Sequence, residues 1–219
     1  MLKLWRLHER KYLKPHGQGR LLDFGCGGGS FLARMSRQGW EVTGLDVAVP
    51  CVERIRNDLH LPAHVGTLPH PEIRLESFDA ITMWHSLEHV YDPARVLRQA
   101  YFHLVPGGKI FIAVPNIKSL AFDCFGRSWY GLDLPRHLTH FSPQTLRWML
   151  ERAGFEVGTV RMIRQSAWVR WSARLNNAGN PHSGWRRFLA GKWLSRPLAW
   201  YSCLSQRSDC MMVTATRRN

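Results

Sequence analysis

The chain has no run of eighteen apolar residues. Its nearest approach, 188–204, is broken by Lys192, Arg196 and Pro197, so a membrane-spanning helix is not expected. The opening residues, MLKLWRLHERKYLK, are too charged to serve as the apolar region of a signal peptide. Five cysteines stand at 26, 51, 124, 203 and 210, an odd number without CxxC spacing. That excludes a disulfide framework and a structural zinc site of the usual spacing, and a reducing cytoplasmic setting is expected. There are no internal repeats and no low-complexity tract. Acid is missing from the C-terminal quarter, where Asp209 is the one carboxylate after residue 160.

What is present suits a packed soluble domain. Of 219 residues, 45% are hydrophobic and 21% charged, which argues against wholesale disorder. The net charge of +14 is concentrated at the ends. Residues 1–20 carry six Lys/Arg and one Glu, and residues 161–219 carry eleven Lys/Arg, whereas 21–160 come close to neutrality. Such ends suggest a polyanionic partner or an anionic membrane surface.

Residues 2–14 read as a basic helix within an N-terminal segment 1–19. RLLDF (20–24) is a short buried strand ending at glycines, and a helix follows over 30–38, stopped by Gly39. A strand ending at Asp46, a helix at 52–59, a short strand at 63–65 and a strand at 78–83 come next. Asp92-Pro93 gives a cap followed by proline at the first helical position, and Pro106-Gly107-Gly108 turns the chain into a strand at 109–114. Strands alternating with helices imply an open, largely parallel sheet covered on both faces. Residues 116–141 look irregular. Ser142-Pro143 opens a helix ending at Gly154, and 155–161 alternates as a strand. A basic, Trp-rich insertion occupies 166–206, and CMMVTAT (210–216) is a final strand. The core is thus expected over 20–165 and is completed by 207–219.

The glycine loop after the first strand, Phe24-Gly25-Cys26-Gly27-Gly28-Gly29, lets backbone approach a ligand closely. Asp46 ends the second strand, where a carboxylate can accept both hydroxyls of an adenosine ribose. That suits NAD and S-adenosylmethionine alike. Asp23, just before the first glycine, discriminates between them: it would repel a pyrophosphate lying over the turn, but tolerates an ammonium and a sulfonium. A dehydrogenase is therefore disfavoured.

At these residues the chain resembles class I S-adenosylmethionine-dependent methyltransferases, in particular the subgroup of quinone-biosynthesis and sugar O-methyltransferases. The matching segments are LLDFGCGGGSFL (21–32), VTGLDV (42–47), FDAITMWHSLEHVYDP (78–93), LVPGGKIFIAVPN (104–116) and HLTHFSPQTLRWMLERAGFEV (137–157). The resemblance implies a Rossmann-like α/β fold, a seven-stranded sheet with helices on both faces and its last strand antiparallel, with the helical insertion before that strand. It places Gly25 and Gly27 under the methionine moiety, Asp46 and Val47 beside ribose and adenine, and Gly66-Thr67-Leu68 along the adenine. With Asp23, Phe24, Cys26, Trp84 and His89, these make up the expected cofactor-binding set.

Trp84-His85-Ser86-Leu87-Glu88-His89 follows the fourth strand. His85-x-x-Glu88-His89 matches an inverted zinc-protease spacing. In the quinone O-methyltransferases acids and the histidine of this segment hold a divalent ion, but His85 stands here in place of the first acid. The simpler expectation is that Glu88 and His89 order the loop, with no metal. His85, His137 and His140 are candidate general bases for a substrate hydroxyl, because histidine titrates near neutrality.

Five of the ten tryptophans (168, 171, 185, 193, 200) fall in the insertion. It reads as a lid over the acceptor, as a surface (161–207) resting on anionic lipid, or as a nucleic-acid clamp. Base N-methyltransferases of this fold carry an Asn/Asp-Pro-Pro-aromatic motif after strand four, which is absent here. The expected function is O-methylation of a small-molecule, sugar or lipid-linked acceptor. A nucleic-acid methyltransferase and a catalytically inactive nucleotide-binding module are the alternatives. The expected setting is the cytoplasm, with peripheral membrane contact.

Overall fold

A computed structural model describes residues 19–179 and 184–218. The basic helix expected in residues 1–19 lies, but for Gly19, outside the described residues. Seven strands form one sheet: β1 (Arg20–Phe24), β2 (Glu41–Asp46), β3 (Ala63–Val65), β4 (Phe78–Trp84), β5 (Leu104–Pro115), β6 (Phe155–Ile163) and β7 (Cys210–Arg217), in the order β3-β2-β1-β4-β5-β7-β6. β1 to β5 pair in parallel, whereas β7 runs antiparallel to both β5 and β6.

Alternation along the central strands serves two cores. Leu21, Ala80 and Phe111 face one layer, built from α1 (Ser30–Ser36) and α2 (Val49–Asp58), with Phe31, Leu32, Met35, Val52 and Ile55. Leu22, Ile81, Ile110 and Ile112 face the other, built from α3 (Pro93–His103) and α5 (Pro143–Arg152), with Leu97, Leu146 and Leu150. Strands buried on both faces read as apolar runs rather than as alternating ones, as RLLDF does. The caps read from sequence are present. Asp92 accepts from the Arg95 amide at 2.8 Å, and Ser142 and Thr145 form a reciprocal capping box.

The stretch 116–141 is more ordered than its composition implies. It contains α4 (Leu120–Phe125) and a 3-10 turn at Gly126–Ser128. The cause is tertiary. The insertion folds as α6 (Ser166–Gly179), a 3-10 segment (Gly184–Ala190) and α7 (Lys192–Leu204). It packs Val169, Ala173, Leu189 and Ala199 against Ala121, Phe125 and Trp129, forming a third core. Short helices of this kind are held by burial rather than by propensity.

One buried acid joins this third core to the sheet. Asp209, immediately before β7, accepts a hydrogen bond from Trp129 Nε1 at 2.7 Å. Burial pushes its carboxyl up to about 7, against the opposing effect of the Trp129 bond. Because the folded pKa lies above the usual carboxylate value near 3.9, the native state holds the extra proton between about pH 4 and 7. Its contribution to stability is full at the acid end of that window and lost as pH rises through it. Asp209→Asn keeps an acceptor for Trp129 but cannot ionise. Thermal unfolding across pH 4 to 8 should show wild type losing stability relative to this variant as pH rises towards about 7, with no further divergence above.

Candidate active site

The site forms where the strand order reverses, at the carboxyl ends of β1 and β4, the usual ligand crevice of an open α/β sheet. Gly25 has φ +72°, and a Cβ there would sit 2.3 Å from the Ser86 Cβ. Glycine alone lets the end of β1 approach the β4 loop this closely. Gly27 (φ +50°) would direct a Cβ into open space, with nothing within 4 Å.

Asp46 organises this loop. Its Oδ2 accepts from the Gly27 amide at 2.8 Å and its Oδ1 from the Ala48 amide at 2.9 Å. A carboxylate has about four lone-pair sites, so both oxygens retain capacity for ribose hydroxyls. Beside it lies a cavity of about 700 Å³, within the range of cofactor pockets, whose walls include Phe24, Gly25, Asp46, Val47, Thr67, Leu68, His85 and His89.

Four expected cofactor residues stand behind this wall or at its margin. Asp23 is buried, and its Oδ1 accepts from Thr82 Oγ1 at 2.7 Å. It lies beneath the loop and is not part of the cavity wall. Cys26 is buried, and burial, with Asp23 and Asp46 nearby, pushes its thiol well above the ordinary range, so it remains an unreactive thiol. Trp84 packs edge-on against Phe31 at 5.4 Å between centroids. Gly27 borders open space without contributing to the wall. Sequence reasoning missed Tyr91 and Arg95, which also line the cavity. The Asp92-Pro93 signal could have found them, since it puts the start of α3 at the same sheet edge.

Of the three candidate bases, His85 lines the cavity and His137 and His140 do not. His85 adopts φ +51°, unusual for a residue with a side chain. Its amide donates to Ala113 O at 2.9 Å, and its Nδ1 lies 3.1 Å from Glu88 Oε1. Trp168 of α6 rests against it, with ring centroids 5.5 Å apart. His137 donates from Nδ1 to Gly131 O at 2.9 Å, and burial lowers its pKa, favouring the neutral ring. His140 donates from Nε2 to Leu132 O at 2.9 Å.

Glu88 is fully buried between these rings, and its Oε2 has no hydrogen-bond partner among the described residues. His89 donates from Nδ1 to Arg136 O at 2.8 Å, so His89 and His137 both carry the hydrogen on Nδ1 and present Nε2. Glu88, His89 and His137 offer ligand atoms within 4.8 Å of one another, a donor set suited to a divalent ion with backbone carbonyls orienting the imidazoles. The sequence expectation assigned no metal ligands. A second group joins His64 of β3 to His70 and Glu72 on the loop that follows.

The sheet order with its antiparallel β7 and the glycine-loop cavity with Asp46 at its edge define a class I S-adenosylmethionine-dependent methyltransferase. The chain belongs to the methyltransferase-domain family, whose model matches residues 4–160. It is 32% identical over 179 residues to the ubiquinone biosynthesis O-methyltransferase of Xanthomonas axonopodis pv. citri, covering 75% of this chain and 73% of that one. It is 36% identical over 141 residues to the protein of that name from Albidiferax ferrireducens, covering 60% and 56%. Among solved structures it is similar to an S-adenosylmethionine-dependent methyltransferase from Mesorhizobium loti, with TM-score 0.67, 22% identity and 99% of each chain covered.

Asp46 provides the direct check of this site. Asp46→Ala removes the expected ribose acceptor and the partner of two loop amides together. Calorimetry should show S-adenosylmethionine binding weakened by roughly 1–3 kcal/mol, with a lowered Tm from the freed loop. Unchanged affinity in the folded variant would put the ribose elsewhere.

Proposed function

We propose that the chain transfers the methyl group of S-adenosylmethionine to a hydroxyl on an apolar acceptor, a small molecule or a lipid-linked one. The observation that carries this reading is His85, a base on the cavity wall backed by the buried Glu88 carboxylate and flanked by Trp168 of the insertion. Relatives named as ubiquinone biosynthesis O-methyltransferases at 32% and 36% identity support oxygen as the atom methylated and a ring-bearing lipid-linked molecule as the acceptor class.

The roles follow from position. Gly25 gives the donor access to backbone, Asp46 holds its ribose, and Val47, Thr67 and Leu68 flank its adenine. Nδ1 of His85 faces the Glu88 carboxylate, and Nε2, which lies 3.8 Å from the Sγ of Cys210 at the start of β7, is the atom that takes the acceptor proton, with the same carboxylate behind the imidazolium once that proton has moved. S-adenosylmethionine supplies an electrophilic methyl group, and much of the rate then comes from alignment in a water-poor site. Residues 166–206 are the lid that excludes water from the acceptor side, and the enzyme works from the cytoplasm with this lid towards a membrane. The basic charge of 161–207 also suits nucleic acid, but no base-recognition motif follows β4.

His85→Gln tests the assignment. The expected result is a fall in kcat of about 10²-fold or more, with donor binding retained. An unchanged kcat in a donor-binding variant would remove His85 from the chemistry.

A further inference from the structure

Helix α7 is amphipathic the wrong way round. Its inward face buries Ser195, Ala199 and Ser202, small side chains that add little apolar burial. Its outward face carries Trp193, Leu194, Trp200, Tyr201 and Leu204, all exposed, with Trp193 at 92%. At 100° per residue, Trp193, Pro197, Trp200 and Leu204 form one stripe, with Tyr201 and Leu194 widening it on one side. Lys192 and Arg196 flank the other side. An apolar stripe of this size on a solvent-facing helix marks an interaction surface.

A basic cavity opens beside this stripe. Arg164, Ser166, Arg196 and Trp200 line a space of about 340 Å³. The Arg164 guanidinium lies over the Trp200 ring, 4.2 Å from its centroid, and a stacked guanidinium keeps its N–H donors along its edge. No Asp or Glu falls between Glu156 and Asp209 in the sequence, and Asp209 is buried.

We propose that the outer face of α7 is a docking surface for an anionic phospholipid bilayer, with Trp193, Trp200, Tyr201 and Leu204 at the interface and a lipid phosphate between Arg164 and Arg196. Charge complementarity selects this occupant. Residues 1–18 carry five Lys/Arg and one Glu, and a second copy presents the same basic face, so both are repelled by the patch. A nucleic acid would find phosphate contacts, but Leu194, Pro197 and Leu204 offer it nothing, whereas they and the indoles suit the interfacial layer of a membrane. The surface gives residue-level content to the membrane setting proposed above and rests on that reading for its meaning, though not for its geometry.

The test is co-sedimentation of the full-length protein with vesicles of equimolar phosphatidylglycerol and phosphatidylcholine, against pure phosphatidylcholine. Binding should require the anionic lipid and fall as salt rises. Trp193→Ser, at a side chain that contributes little to the fold, should lower partition several-fold, and adding Trp200→Ser at least tenfold. Arg164→Gln with Arg196→Gln should lower it roughly 25-fold, each base near such a surface being worth about fivefold. Calorimetric binding of S-adenosylmethionine in every variant shows that the fold is intact. Absence of anionic-vesicle binding at low salt, equal binding to pure phosphatidylcholine, or binding indifferent to both variant pairs overturns the proposal. So does displacement by a single-stranded oligonucleotide from protein indifferent to the tryptophan changes. Vesicle binding without turnover of any hydroxyl acceptor would sink the acceptor reading and leave this surface standing.

Discussion

The Asp46 carboxylate is the contact on which the order of the glycine loop depends. It ends β2, yet its oxygens hold amides at Gly27 and Ala48, on either side of it. The glycine loop has almost no side chains with which to fix itself, and Gly25, Gly27 and Gly29 all adopt positive φ. Such a segment loses much conformational entropy on ordering, and a charge-assisted bond to its middle offsets part of that loss. Asp46, on the wall of the cavity, is thus the residue that shapes the loop beneath it. On the proposed reading, the ribose acceptor and the anchor of the loop are one carboxylate.

A comparable economy governs the other side of the cavity. Glu88 is a fully buried acid, and the histidines around it come from two separate segments, the turn after β4 and the loop before α5. A buried carboxylate is costly unless charge or hydrogen bonds meet it. The Oε1 of Glu88 faces His85 and His137, and its backbone oxygen accepts from the amides of Leu138 and Thr139. The donor set of Glu88, His89 and His137 forms around this one interior side chain.

The fold was largely legible because its signals are local. Glycines after a short apolar run, acids at strand ends and proline-reinforced caps at Asp92 and Ser142 each constrain a few neighbouring residues. What escaped was tertiary. Asp23 read as a ligand-facing acid, but Thr82, 59 positions along the chain, turns it beneath the loop. His85, His137 and His140 were equal candidates by residue type, and nothing in their spacing reveals that Gly131 O and Leu132 O occupy two of them. Helix α4 depends on Trp129 and on α6, and no single segment contains that information.

The way the insertion joins the sheet has a consequence for how the protein can diversify. Ile163, the last residue of β6, pairs directly with Cys210, the first of β7. The two ends of the intervening chain are therefore held side by side by the sheet, whatever lies between them. Loop-closure entropy grows only slowly with length, so this junction tolerates caps of different size and surface. One catalytic scaffold could thus be matched to different acceptors, or to different cellular surfaces, by exchanging a single contiguous cassette and leaving the β1–β4 crevice unaltered.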